Sequence, residues 1–142
     1  MTTVHASAVA LNDRAALILG TSGSGKSALA LDLMAAGCRL VADDRVVLSR
    51  RGDALVAEAP ETLLGLMEWR GVGLLRCAEP ALGAKVCIAV DLDTVPSGRL
   101  PDPSSHEVEG IAVPVIAARG VKALASGILL VLQGRALIDT FR

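Results

Sequence analysis

Charge of a single sign is the first thing missing from this sequence. The formal net charge is -1, with positive and negative residues interspersed, so there is no basic stripe and no electrostatic footprint for nucleic acid. Cysteine is scarce as well. Cys38, Cys77 and Cys87 are odd in number and lack close metal-ligand spacing, and no basic segment at the N-terminus leads into an apolar run with a cleavage site. A reduced, cytoplasmic protein is the expectation. Long hydrophobic runs are also lacking. Leu124 to Leu132, the longest near the end, is interrupted by Ser126 and Gly127 and falls far short of the roughly 20 residues that span a bilayer. It reads as a core helix, and no membrane partner is expected. Neither an internal repeat nor a linker divides the chain, so residues 1–142 read as one domain, which at this length buries roughly two-thirds of its unfolded surface.

What is present is apolar. Hydrophobic residues make up 52% of the chain against 20% charged, which suits a sheet covered on both faces or a surface buried by oligomerisation. The pattern predicts strands over Val4–Leu11, Ala15–Leu19, Arg39–Ala42, Arg45–Ser49, Leu55–Glu58 and Lys85–Leu92, with turns at Asn12-Asp13 and Arg51-Gly52-Asp53. A helix runs from Lys26 to a stop at Gly37. A second helix is expected from Pro60-Glu61 through Met67, a loop over Thr94–Ser105, a strand over Val108–Ile116 broken at Pro114, and a last helix over Gly120–Leu132. The fold class is therefore α/β, with a mixed sheet and flanking helices.

One motif carries chemistry. Gly20-Thr21-Ser22-Gly23-Ser24-Gly25-Lys26-Ser27 is a complete G-x-x-x-x-G-K-[ST] loop between an apolar strand and a helix. Its glycines let backbone N–H groups point inward at phosphates, where the helix N-terminus adds about half a positive charge. Lys26 would reach the terminal phosphates and Ser27 would place its hydroxyl on Mg²⁺. ATP binding alone does not choose among kinase, GTPase, ATPase and synthetase. Asp43-Asp44 is the best discriminator, since a carboxylate near the terminal phosphate can accept a proton or hold the metal, although two adjacent aspartates also suit a solvated turn. Ile88-Ala89-Val90-Asp91 offers a different reading, in which Asp91 holds Mg²⁺ in a generic P-loop small-molecule kinase or NTPase. A non-enzymatic nucleotide sensor is the third.

Several segments together resemble the C-terminal catalytic domain of HPr kinase/phosphorylase. The loop and its helix are followed by Arg39-Leu40-Val41-Ala42-Asp43-Asp44, similar to the family's Arg-Leu-Val-Ala-Asp-Asp. Leu66-Met67-Glu68-Trp69-Arg70-Gly71-Val72-Gly73-Leu74-Leu75 resembles the family signature, and His5 falls at the family's histidine upstream of the loop. Val113-Pro114-Val115 with Arg119 is a reduced version of a further family segment. The resemblance covers nearly the whole chain as a short form without the regulatory N-terminal domain, similar to those of α-proteobacteria. It implies a core like the nucleotide domain of phosphoenolpyruvate carboxykinase, and a protein-serine kinase that uses ATP and Mg²⁺ to phosphorylate an HPr-type phosphocarrier of a phosphotransferase system or a nitrogen-linked relative. It implies Asp44 as general base with Asp43 beside it, Ser27 and Glu68 on Mg²⁺, Lys26 on the phosphates, and His5 and Arg70 in the same catalytic set. A homo-oligomer, up to a hexamer, is implied too. Two departures stand out. Leu82-Gly83-Ala84-Lys85 replaces a longer loop whose arginine touches the phosphates, leaving Lys85 as the candidate substitute. Ile116-Ala117-Ala118 replaces the arginine, proline and glycine associated with the reverse reaction, so weak phosphorylase activity is expected.

Overall fold

The computed structural model describes residues 1–139. Its strands are β1 (Thr2–Val4), β2 (Ala6–Leu11), β3 (Arg14–Leu19), β4 (Arg39–Ala42), β5 (Val46–Arg51), β6 (Ala54–Glu58), β7 (Leu66–Trp69), β8 (Gly73–Arg76), β9 (Ala84–Asp91), β10 (Ser104–Val108) and β11 (Ile111–Ala117). Two helices, α1 (Lys26–Ala35) and α2 (Leu124–Leu132), complete the set. Nine strands form one mixed sheet, seven of them in the order β1-β5-β6-β9-β3-β2-β4 with β11 and its partner β10 branching from β9, and β7 and β8 form a separate hairpin.

The sheet forks at β9. One edge of β9 runs parallel to β3 along its length; the other pairs with β6 antiparallel at Ala84 and Lys85, then with β11 parallel from Ala89 to Asp91. Three parallel strands, β3, β9 and β11, therefore end side by side.

Alternation along the central strands splits the interior into two cores. Ala15 and Leu17 of β3 face one side, while Ala16 and Ile18 face the other. Leu29, Ala30 and Leu33 of α1, Ile128 and Leu132 of α2, and Met67 of β7 cover the second side. Among the described residues, no helix packs on the first side. There Val46, Leu48, Leu55, Val108 and Val113 from the outer strands cluster on alanines of β2, β3 and β9, so the curled sheet closes over its own face. Small side chains at 6, 8, 10, 15 and 89 leave room for that approach.

Five expectations are corrected. The helix predicted from Pro60 through Met67 is only a 3₁₀ turn at Glu61–Leu63, after which Gly65 accepts a bond from Cys77 N (2.7 Å) and β7 begins. A short apolar run without a clear period does not distinguish helix from strand. The loop expected up to Ser105 ends earlier, because the wholly polar Ser104-Ser105-His106-Glu107 pairs with β11 through its backbone. Glu109 and Gly110 close that hairpin with φ of 51° and 76°, the two-residue turn whose twist matches paired strands. Pro114 does not break the strand: it lies opposite Ser105, just before β11 begins its pairing with β9 at Val115. The last helix starts at Leu124 rather than Gly120, behind Ala123 at φ 55°. The strand expected over Val4–Leu11 is interrupted at His5, where the chain leaves β5 and joins β3 and β4.

Candidate functional site

The loop from Gly20 to Ser27 links the end of β3 to α1. Gly20 has φ 155°, and a Cβ there would collide with Ser24 Oγ and lie 3.3 Å from Leu92 Cβ, so no larger residue fits this bend. Lys26 is 8% exposed and donates from Nζ to Gly20 O (2.7 Å) and Thr21 O (3.0 Å). Its ammonium thus lies folded across the loop.

Asp43, also 8% exposed, is the meeting point of three elements. Its Oδ1 accepts from Ser27 Oγ at the start of α1 (2.9 Å) and from Ser7 Oγ in β2 (2.8 Å), while Oδ2 accepts from Glu68 N in β7 (3.1 Å). Such charge-assisted bonds compensate the cost of burying a carboxylate. Cys77 registers that charge: burial first, then Asp43, pushes its thiol up from the ordinary value.

Asp44 turns the opposite way. It adopts φ 69°, a conformation aspartate tolerates better than most residues, and its side chain is 62% exposed with His5 Nδ1 3.4 Å from Oδ1. Two adjacent carboxylates thereby receive different surroundings, one bound into the framework and one open to a reactant.

The hairpin β7–β8 brings the signature residues alongside. Glu68 is exposed, with its backbone pinned to Asp43. Arg70 Nη1 lies 3.9 Å from where a Cβ on Gly23 would stand, which sets the guanidinium beside the loop. Ser27 Oγ and the Asp43 carboxylate, which are hydrogen-bonded to each other, are hard oxygen donors, the chemistry that suits Mg²⁺ shared between protein and phosphates.

Asp91 is engaged elsewhere. Its Oδ1 accepts from Asp93 N (2.9 Å) and its Oδ2 from Thr94 Oγ1 (2.7 Å), fixing the turn after β9. Asp93 in turn accepts from Thr21 N (2.8 Å) and Thr21 Oγ1 (3.0 Å), tying the loop to that turn. Lys85 is remote: it lies near Asp13 (Nζ to Oδ2 3.7 Å) at the far end of β9, about 20 Å from the Asp91 end at the usual strand rise. That position does not suit a substitute for a phosphate-contacting arginine, whereas the Arg70 guanidinium lies beside Gly23 of the loop. Ser7 and Asp93 escaped the sequence reading; the signals were a lone hydroxyl within an apolar strand and a second aspartate two residues past a strand end.

Comparison with known proteins gives the family and the fold. Residues 1–88 match the family model of the HPr Serine kinase C-terminal domain. The HPr kinase/phosphorylase of Peptoclostridium acidaminophilum is 51% identical over 74 residues, covering 51% of this chain and 24% of that protein. The HPr kinase/phosphorylase of Lactobacillus johnsonii is 47% identical over 73 residues, covering 51% and 23%. The match therefore spans about a quarter of these relatives' length. The structure of the Hpr(Ser) kinase/phosphatase from Coxiella burnetii superimposes with a TM-score of 0.78 at 23% identity, covering 94% of this chain and 95% of that one, which establishes a shared fold. The matched span holds the loop, the acidic pair and the hairpin, and this chain belongs to the HPr Serine kinase C-terminal domain family.

Proposed function

We propose that this chain is a cytoplasmic, ATP- and Mg²⁺-dependent kinase that phosphorylates a serine of an HPr-type phosphocarrier in a phosphotransferase system or a nitrogen-linked relative. Residues 1–142 act as one catalytic unit on a core like that of phosphoenolpyruvate carboxykinase. The observation that carries the reading is Asp43, which joins Ser27 of the loop to β2 and β7 and leaves Asp44 facing outward beside His5.

In this reading the Gly20–Ser27 backbone cradles the phosphate chain, and Lys26 and Arg70 supply positive charge around it. Ser27, Asp43 and Glu68 would hold Mg²⁺, which when bound neutralises charge on the phosphate oxygens. Asp44 accepts the proton of the substrate serine as its Oγ bonds to the terminal phosphorus and the bond from that phosphorus to the ADP oxygen breaks. His5 stands close enough to orient that carboxylate. The exposed Trp69, Val72 and Leu74 on the hairpin support a protein surface covering this side, either the carrier or another copy in a homo-oligomer of up to six chains.

Transfer of labelled γ-phosphate to an HPr-type carrier tests the proposal. Native protein should label the carrier, Asp44→Asn should be slower by about 100- to 10,000-fold, and a carrier with its acceptor serine replaced by alanine should stay unlabelled. ATP binding without any transfer would instead favour the sensor. The reverse reaction should be weak, so rapid pyrophosphate release from phospho-carrier and inorganic phosphate would contradict that part. The generic NTPase reading has less support, because both Asp91 oxygens already bind the turn after β9.

A further inference from the structure

Asp93 belongs to neither the phosphate loop nor the hairpin signature, yet its carboxylate takes both donors of Thr21 in the loop, Thr21 N (2.8 Å) and Thr21 Oγ1 (3.0 Å). We infer that Asp93 is a positioning residue, which acts through Thr21 to set the Lys26 ammonium for its work on the phosphates. The inference rests on the phosphate-binding reading of the loop and deepens it.

The connection runs through one residue. Thr21 O accepts from Lys26 Nζ (3.0 Å) and from Ser24 N (3.0 Å), so each polar atom of Thr21 is engaged. Gly20 O, the second acceptor of that ammonium (2.7 Å), directly precedes Thr21. Holding Thr21 therefore holds both acceptors of Lys26. Among the described residues, Asp93 is the side chain outside the loop that bonds to Thr21. The loop needs such an anchor. Gly20, Gly23 and Gly25 have φ of 155°, 83° and 104°, and fixing a glycine backbone costs more entropy than fixing any other residue.

The anchor stands on a braced turn. Asp91 Oδ1 accepts from Asp93 N (2.9 Å) and Oδ2 from Thr94 Oγ1 (2.7 Å). From the end of β11, Ala118 N donates to Asp91 O (2.8 Å) and Arg119 N to Thr94 O (3.0 Å). The Asp93 carboxylate is thus presented from a platform fixed to both β9 and β11, the kind of support a positioned side chain requires. The fold does not need this link to hold its sheet together. Leu92 N already joins the ends of β9 and β3 by donating to Leu19 O (2.9 Å), and Asp93 and Thr21 are both exposed. Electrostatics agree. A carboxylate beside a loop that takes phosphates repels them, a cost offset where the same carboxylate places a cation.

Two readouts on Asp93→Ala test this. Calorimetry gives the affinity for ATP with Mg²⁺, and ¹⁵N NMR gives the Lys26 ammonium signal, which two fixed acceptors set apart from those of the exposed Lys85 and Lys122. Affinity should fall by about tenfold, the weight of a hydrogen bond to a charged group, and the Lys26 signal should move toward those of the exposed lysines. The urea midpoint should stay near native; a fall in affinity that only follows a loss of folded protein overturns the role. Thr21→Val removes the hydroxyl bond alone and should weaken ATP by about threefold, and adding it to Asp93→Ala should cost nothing further. An unmoved Lys26 signal or native ATP affinity in folded Asp93→Ala, or additive losses in the double variant, overturns the positioning role and spares the loop reading. Native protein that binds no ATP overturns the loop reading and this role with it. If Asp93→Ala does not fold, Thr21→Val decides: ATP binding at native strength with the Lys26 signal unmoved overturns the inference.

Discussion

Asp43 and Asp44 are identical side chains one bond apart in sequence, yet their surroundings give them different chemistry. Three donors hold Asp43 in a nearly closed position, while Asp44 keeps a mostly exposed carboxylate next to His5. A side chain fixed by several bonds suits a constant task such as holding a cation; an open one suits meeting a second substrate. On the proposed role of Asp43 in holding Mg²⁺, Asp43→Asn should reduce phosphate transfer by about 100-fold or more, since a weaker hold on the cation leaves charge on the phosphate oxygens less well offset. Asp91→Asn should stay within about tenfold of native, because its amide oxygen can still accept from the turn after β9 at the energy of an ordinary hydrogen bond. Transfer rates of the two variants, measured side by side, check this; an equal loss in both would return the metal to Asp91.

At the scale of elements, the β7–β8 hairpin is the part that depends most on tertiary contacts. A two-stranded hairpin alone is marginal in water. This one is anchored by Met67, 1% exposed in the helix-side core, and by the bond from Glu68 N to Asp43. Met67→Ala should cost about 2–5 kcal/mol and loosen the hairpin that carries Glu68 and Arg70. Urea unfolding should show the lower stability, and residual activity at low temperature should fall more than the population of folded protein. Activity proportional to folded protein would mean that the hairpin does not position the site. The signature's conversion from an expected helix end to a strand has the same origin, since its register comes from pairing Leu66 with Arg76 and Trp69 with Gly73.

Across the whole molecule, burial of both sheet faces reaches the thiols. Cys38 is pushed up from its ordinary value of 9.0 by burial. Cys87 is pushed up by burial too, with Arg14 opposing. A raised folded pKa favours the neutral thiol, so its contribution to stability is complete below pH 9.0 and is lost as pH rises through the folded value. Native protein at pH 9 should react with iodoacetamide much more slowly at Cys38 than urea-unfolded protein does, and the thermal midpoint should fall above that pH. Equal rates in the two states would mean that the helix-side core opens freely. The two cores also explain the composition, because a sheet that curls over one face and is covered by helices on the other leaves few strand positions for charge.

The local code was sufficient for the strand, loop and helix around Gly20 to Ser27. Glycines at the bend, an apolar run before it and helical spacing after it are short-range features, as are the stop at Gly37 and the turn at Arg51-Gly52-Asp53. The acidic pair Asp43-Asp44 stood out from its own chemistry, and resemblance added roles for that pair and the signature from Leu66 to Leu75. Contacts between residues distant in sequence decided the remainder. Ser7 meets Asp43 across 36 positions and Thr21 meets Asp93 across 72, separations at which no spacing rule operates. The polar strand β10 exists because β11 satisfies its backbone, and Lys85 stands far from the loop because β9 carries it to the opposite end of the sheet. Propensity and periodicity act within a few residues, whereas pairing register, the fork at β9 and the direction of each carboxylate are settled only when the whole sheet closes.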